Sequence, residues 1–336
     1  MLACDAEGRT RVSFQDRMPK AVTVVEVGPR DGLQNEAVTV GVENRVDLID
    51  GLSDAGLPTI EVGAFVSATW VPQMAATDEV CRRIRRKPGV RYTALVPNLA
   101  GLERAAAAGL RRVAVFAAAS ETFSRRNINK SIDQSMAAYE EVCRAARADG
   151  ISVRGYLSTC FGCPYEGHVA PEKVVDLVGR MLGLGVDEVA ISDTTGAAHP
   201  GQVGRLLDEI LLRVPAERIA LHFHDTRGTA LANVMAGLLH GISTYDASCG
   251  GLGGCPYAPG AAGNLATEDL IFMLDGLGIE TGVRIDAVMS ASTTVAEKLG
   301  RSLPSRFVQA TIAARALLHP SSRSSGSPGP SKDTRA

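Results

Sequence analysis

Hydrophobic positions along the chain follow two alternating rhythms. Short β-branched segments give way to stretches with apolar residues at i, i+3, i+4 and i+7, the mark of one buried helical face. The strand-like segments are VTVVEVG from Val22, TIEVGAF from Thr59, RYTALVP from Arg91, RRVAVFAAA from Arg111, ISVRGYLST from Ile151, DEVAISD from Asp187, RIALHFHD from Arg218 and STYDASCG from Ser243. The clearest helical faces are Val174, Leu177, Val178, Met181 and Leu182, then Val203, Leu206, Leu207, Ile210 and Leu211. Gly56, Gly109, Gly150, Gly185 and Gly241 stand where such helices should end.

Successive strand and helix units of this kind predict an α/β fold, a (β/α)8 TIM barrel, with an open doubly wound sheet as the alternative. No GxGxxG follows the first strand, which counts against that alternative. From TEDLIFMLDGLG, Thr267 to Gly278, further helical pattern predicts C-terminal helices capping the barrel. The expected organisation is a flexible extension over 1–20, a barrel domain over 21–318 with its catalytic part ending near 280, and a Ser-, Pro- and Gly-rich disordered tail over 319–336.

Composition narrows the function classes. The 336 residues are 45% hydrophobic and 21% charged, enough for a sizeable core in an ordinary globular protein. A formal net charge of -2 offers no nucleic-acid surface, and CRRIRRKPG, Cys81 to Gly89, reads as the solvated face of a helix. There is no apolar run long enough to span a bilayer. The first twenty residues carry Asp5, Glu7 and Asp16 and no apolar signal core, so the expected location is cytoplasmic. Seven cysteines, an odd number, fit free thiols in a reducing compartment. Cys160 and Cys163 form a CxxC without a second pair, and packing is the reading given to them.

The chemistry gathers at the carboxyl ends of the strands, where a barrel of this kind builds its active site. In LHFHDTRG, His222 and His224 are two residues apart on a strand and point to the same side. A packed histidine beside an exposed one is the bland alternative. The first strand ends in EVGPRDGLQNE, with Arg30, Asp31 and Gln34; Glu61 lies on the second, Asp193 ends the sixth, and Asp225 follows His224. After the eighth strand, Gly250, Gly251, Gly253 and Gly254 surround the approach to Cys255 and suggest a lid, and Asn264 precedes a helix start. Two imidazoles, a carboxylate and an amide oxygen suit a divalent ion, Mg or Mn, with Zn also compatible. Such an ion would draw an anionic substrate, and Arg30 would offer a fixed cation where negative charge develops. A salt-bridged turn remains open for Arg30 and Asp31, and a packed thiol for Cys255.

These segments resemble a known family. VGPRDGLQNE from Val27, FVSATWVPQM from Phe65, VPNLAG from Val96, RRNIN from Arg125, GCPYEG from Gly162, HFHDTRGTALAN from His222 and GLGGCPYAPGAAGNLATEDL from Gly251 are similar to 3-hydroxy-3-methylglutaryl-CoA lyase, over most of the chain between Val22 and Gly282. The resemblance implies Asp31, His222, His224 and Asn264 as metal ligands and Arg30 as the arginine steadying the enolate of acetyl-CoA. It implies proton transfer by Cys255, catalytic acidic roles for Glu61 and Asp193, a CoA thioester as substrate and a homodimer. Gln34 is expected to contact the bound cofactor. The implied reaction cleaves 3-hydroxy-3-methylglutaryl-CoA to acetyl-CoA and acetoacetate, with His222 and Asp193 as candidates for the base; a role in leucine breakdown or ketone-body formation is implied likewise. Condensing synthases, free-acid aldolases and a non-catalytic metal-binding paralogue are the competing readings.

Three positions depart from the pattern. The run after the sixth strand reads Ser192, Asp193, Thr194, Thr195, Gly196 in place of GDTIG; Arg227 stands where a tyrosine is usual; Ala37 replaces a frequent lysine. Arg227 and Thr195 are expected to alter how the acyl group is held, with neutral drift as the alternative. SRRNINKS, Ser124 to Ser131, reads either as a loop for the phosphates of CoA or as an exposed charged loop.

Overall fold

The computed structural model describes residues 14–254 and 263–318. Eight parallel strands close into a barrel in chain order. They are β1 (Thr23–Glu26), β2 (Thr59–Ala64), β3 (Arg91–Leu95), β4 (Arg112–Ala118), β5 (Ser152–Ser158), β6 (Glu188–Asp193), β7 (Ile219–Phe223) and β8 (Thr244–Ala247). Each of the eight expected segments contains one of them. The helices between are α1 (Val42–Asp54), α2 (Thr77–Arg83), α3 (Leu99–Ala107), α4 (Glu121–Ile128), α5 (Ile132–Ala148), α6 (Pro171–Gly183), α7 (Pro200–Leu211) and α8 (Ala230–Leu239). After the barrel come α9 (Thr267–Gly276), α10 (Ile285–Leu299) and α11 (Arg306–Leu318), with α10 packed on α1.

Local chemistry accounts for these boundaries. On α6, Val174, Leu177, Val178 and Met181 are buried, and on α7 so are Val203, Leu206, Leu207 and Ile210, the faces that the periodicity predicts. Gly56 and Gly185, both at φ 97°, follow the ends of α1 and α6; a side chain there would be forced into a left-handed backbone. Most of the core lies between strands and helices. Inside the barrel a smaller apolar cluster of Ala114, Tyr156, Ala190 and Ala220 is covered by Leu95 and Phe116. Alanines on three of four adjacent strands leave room inside the barrel for larger polar side chains. Within residues 14–20, Met18 is buried, and the Lys20 carbonyl accepts from Glu280 N at 2.9 Å. The rest of the expected extension, the tail over 319–336 and Cys255 with its neighbours lie outside the described residues.

Candidate metal and active site

β1 runs into a single π-helical turn, Gly28–Gly32, in which the amides of Asp31 and Gly32 both donate to the Val27 carbonyl, at 2.8 and 3.2 Å. Such turns displace side chains from ordinary helical positions and are frequent at functional sites. Here the turn carries Arg30 and Asp31 over the barrel mouth. Arg30 Nη1 donates to Asp31 Oδ1 at 2.7 Å, and Arg30 Nε donates to Glu61 Oε2 at 2.6 Å. The salt-bridged turn is therefore present, and it belongs to the site.

His222, at the end of β7, and His224 just beyond it meet Asp31 as expected. Each of the three offers a donor atom, and these atoms lie within 4.8 Å of one another. His222 Nε2 stands 3.9 Å from Asp31 Oδ2. Asn264 is brought in by the backbone: it forms an antiparallel bridge with His224, and the flanking Asp225 amide donates to the Gly263 carbonyl at 2.9 Å. Asn264 Nδ2 donates to the Leu252 carbonyl at 3.1 Å. Its Oδ1 and the Nδ1 of His224 are buried without a hydrogen-bond partner. Buried polar atoms rarely stay unpaired in a native protein unless something else satisfies them, and this donor set suits a divalent ion. Burial would raise the Asp31 carboxyl, but Arg30 and the two histidines outweigh it and hold it at about 2. Burial, aided by His222, lowers His224 to about 4. Both groups are thus in their ligand forms at neutral pH.

A cavity of about 550 Å³ opens above this cluster. Its lining joins the polar Arg30, Asp31, His222 and His224 to the apolar Val66, Leu95, Phe116 and Phe123. Gln34 lines it as well, together with Arg126, Asn127 and Asn129 from the SRRNINKS segment.

The remaining candidates take up other partners. Asp193 is 1% exposed, does not line the cavity, and accepts from the amides of Ala197 and Ala198 at 3.1 and 2.9 Å. Its carboxylate organises the loop after β6. Asp225 turns away likewise and accepts from the Ala230 amide at 2.9 Å at the start of α8. Arg227 is exposed and donates to the carbonyls of Thr195 and Gly196, both at 3.0 Å. Neither Arg227, Thr195 nor Ala37 lines the cavity, so a direct grip of Arg227 and Thr195 on the acyl group is not what this arrangement provides. Cys160 and Cys163 are buried, with Sγ atoms at the Leu157 carbonyl (3.0 Å) and Ser120 Oγ (2.9 Å), as packing requires.

The sequence reading missed the polar floor beneath the ligands: Arg154 and Tyr156 on β5 and Asp246 on β8. Their signal was available. Arg154, Tyr156 and Ser158 alternate along one strand face, and charged residues inside a barrel strand need a partner.

A model of the HMGL-like family matches residues 21–295. The chain belongs to that family. Within it, the Pseudomonas aeruginosa protein named 3-hydroxy-3-isohexenylglutaryl-CoA/hydroxy-methylglutaryl-CoA lyase is 51% identical, covering 88% of this chain and 99% of its own. The mitochondrial hydroxymethylglutaryl-CoA lyase of Bos taurus is 50% identical, covering 87% of this chain and 90% of its own. A solved structure of an HMG-CoA lyase from Acinetobacter baumannii, in complex with coenzyme A and 3-methylmalate, is 38% identical. It superposes with a TM-score of 0.83, covering 89% of this chain and 97% of that one.

Proposed function

We propose that this HMGL-like chain is a divalent-metal-dependent carbon–carbon lyase that cleaves 3-hydroxy-3-methylglutaryl-CoA to acetyl-CoA and acetoacetate. The observation that carries the reading is the convergence of Asp31, His222 and His224 beside Arg30 in the lining of one cavity. Relatives named for this activity at about half identity support it.

Asp31, His222, His224 and Asn264 would hold the ion, which when bound supplies Lewis-acid polarisation of the C3 hydroxyl. The protein does the rest. Loss of the hydroxyl proton turns the C3 oxygen into the ketone of acetoacetate as the C2–C3 bond breaks, and the bonding pair passes to C2 as the enolate of acetyl-CoA. Arg30, pinned by Glu61 and Asp31, is placed to take up charge on the thioester oxygen. Of the two candidate bases, His222 lines the cavity and Asp193 does not. The resemblance assigns the proton returned to C2 to Cys255. Gln34 and the Arg126–Asn129 segment line the route a CoA chain would take. Cytoplasmic location, a homodimer and a place in leucine breakdown belong to this proposal; among the described residues no helix is long and apolar enough to cross a membrane.

A second reading keeps the chemistry and enlarges the substituent at C3. The apolar lining of Val66, Leu95, Phe116 and Phe123 favours it, as does the name of the Pseudomonas relative. The deciding assay measures acetyl-CoA release, with Mg or Mn and then with a chelator, from the methylglutaryl thioester and from thioesters with longer 3-alkyl groups. Metal-dependent cleavage of the methylglutaryl thioester is expected. Preference for a longer chain would move the substrate, and silence across the panel would leave a non-catalytic metal-binding protein.

A further inference from the structure

Below the ligands, buried polar side chains form a closed ring. His222 Nδ1 lies 3.2 Å from Asp246 Oδ2, and Asp246 Oδ1 accepts from Arg154 Nη2 at 2.6 Å. Arg154 Nη1 donates to the Tyr156 hydroxyl at 3.0 Å, and that hydroxyl donates to Glu61 Oε2 at 3.1 Å. Glu61 holds Arg30, Arg30 holds Asp31, and Asp31 faces His222 again.

Stability does not account for the Arg154–Asp246 pair. Both side chains are 0% exposed, and desolvating two charges often costs as much as their attraction returns. What the pair does is orient an imidazole. Strand register sets His222 directly beside Asp246 across β7 and β8. Arg154 is anchored in turn by Glu188 Oε1 at 2.7 Å and leaves one Asp246 oxygen for the histidine. An ionised carboxylate only accepts, so the proton of a neutral His222 must sit on Nδ1, and Nε2 keeps its lone pair.

Resting on the metal-dependent reading above, we propose that Asp246 is a positioning residue: locked by Arg154, it holds His222 as the Nδ1–H tautomer and presents the Nε2 lone pair to Asp31 and His224. A carboxylate behind a ligating histidine is worth about 10–100-fold in metal affinity.

Asp246→Asn separates this role from a structural one. Its oxygen keeps the bond to Arg154, while its amide nitrogen donates to His222 and forces the proton onto Nε2. The expected results are Mn2+ binding weakened about 10–100-fold, read by electron paramagnetic resonance of free Mn2+ without substrate, and kcat lowered with KM for the thioester within about twofold. The unsubstituted protein carries a test independent of the variant's folding: nitrogen-15 NMR of the metal-free chain near pH 8, with His222 assigned through His222→Gln, should show Nδ1–H. An Nε2–H tautomer there would overturn the proposal. So would an Asp246→Asn protein that melts lower yet binds Mn2+ as the wild type does. Wild-type protein that bound no Mn2+ would overturn the metal-dependent reading itself and this proposal with it.

Discussion

The Arg30 guanidinium bridges an acid on β2 and its own neighbour in the turn after β1: Nε donates to Glu61 Oε2 at 2.6 Å and Nη1 to Asp31 Oδ1 at 2.7 Å. This fork fixes the cation in a plane, which a lysine ammonium does not reproduce. Arg30→Lys should lower turnover by at least about 100-fold, the scale of losing one charge-stabilising donor. Steady-state kinetics at saturating metal checks it, and a near-normal rate would remove Arg30 from the mechanism.

Arg227 ties down the loop after β6 through the Thr195 and Gly196 carbonyls, outside the cavity. Arg227→Tyr should therefore leave the ranking of acyl-CoA substrates unchanged. Its cost in stability should stay within about 1 kcal/mol, as for other exposed polar ties. A changed ranking in the thioester panel would restore Arg227 to substrate selection.

Glu26 is buried on β1, where its carboxylate accepts from the amides of Gly28 and Cys249 and from the Thr267 hydroxyl, with Glu268 close by. Burial pushes its pKa from 4.5 to about 7, against those hydrogen bonds. Between these values the folded protein keeps a proton that the unfolded chain has released, so this group's contribution to stability falls as pH rises through the window. The full change is on the order of 3 kcal/mol. Glu26→Gln preserves the shape and removes the titration. Urea unfolding at pH 5 and pH 8 should show the variant gaining on the wild type at the higher pH, and an unchanged difference would refute the assignment.

Burial pushes the Cys160 thiol up to about 12. It should resist alkylation in the native protein near pH 8 and react only after unfolding, which peptide mapping would reveal. Cys160→Ala should leave turnover within about twofold, as expected of a side chain that meets no reacting group.

The barrel was legible because its information is local. Apolar runs and helical faces repeat, and two histidines at i and i+2 share a strand face wherever that strand is placed. The segment that became α6 could be read from five apolar residues without knowing what they pack against. Asp31 and the two histidines could likewise be assigned to one mouth, because parallel strands put all their carboxyl ends on one side.

What only the tertiary structure decided is the direction and partnership of polar side chains from distant strands. Asp193 and Asp225 stand at the right strand ends, yet both are turned toward backbone amides that no spacing reveals. Asp246, overlooked in a strand of mixed character, reaches His222 because the register of β8 against β7 places it there. Sequence periodicity determined which elements form and which ends hold the chemistry; hydrogen-bond demand in a closed, water-poor barrel determined which acid serves the ligand, which serves the loop and which holds the arginine.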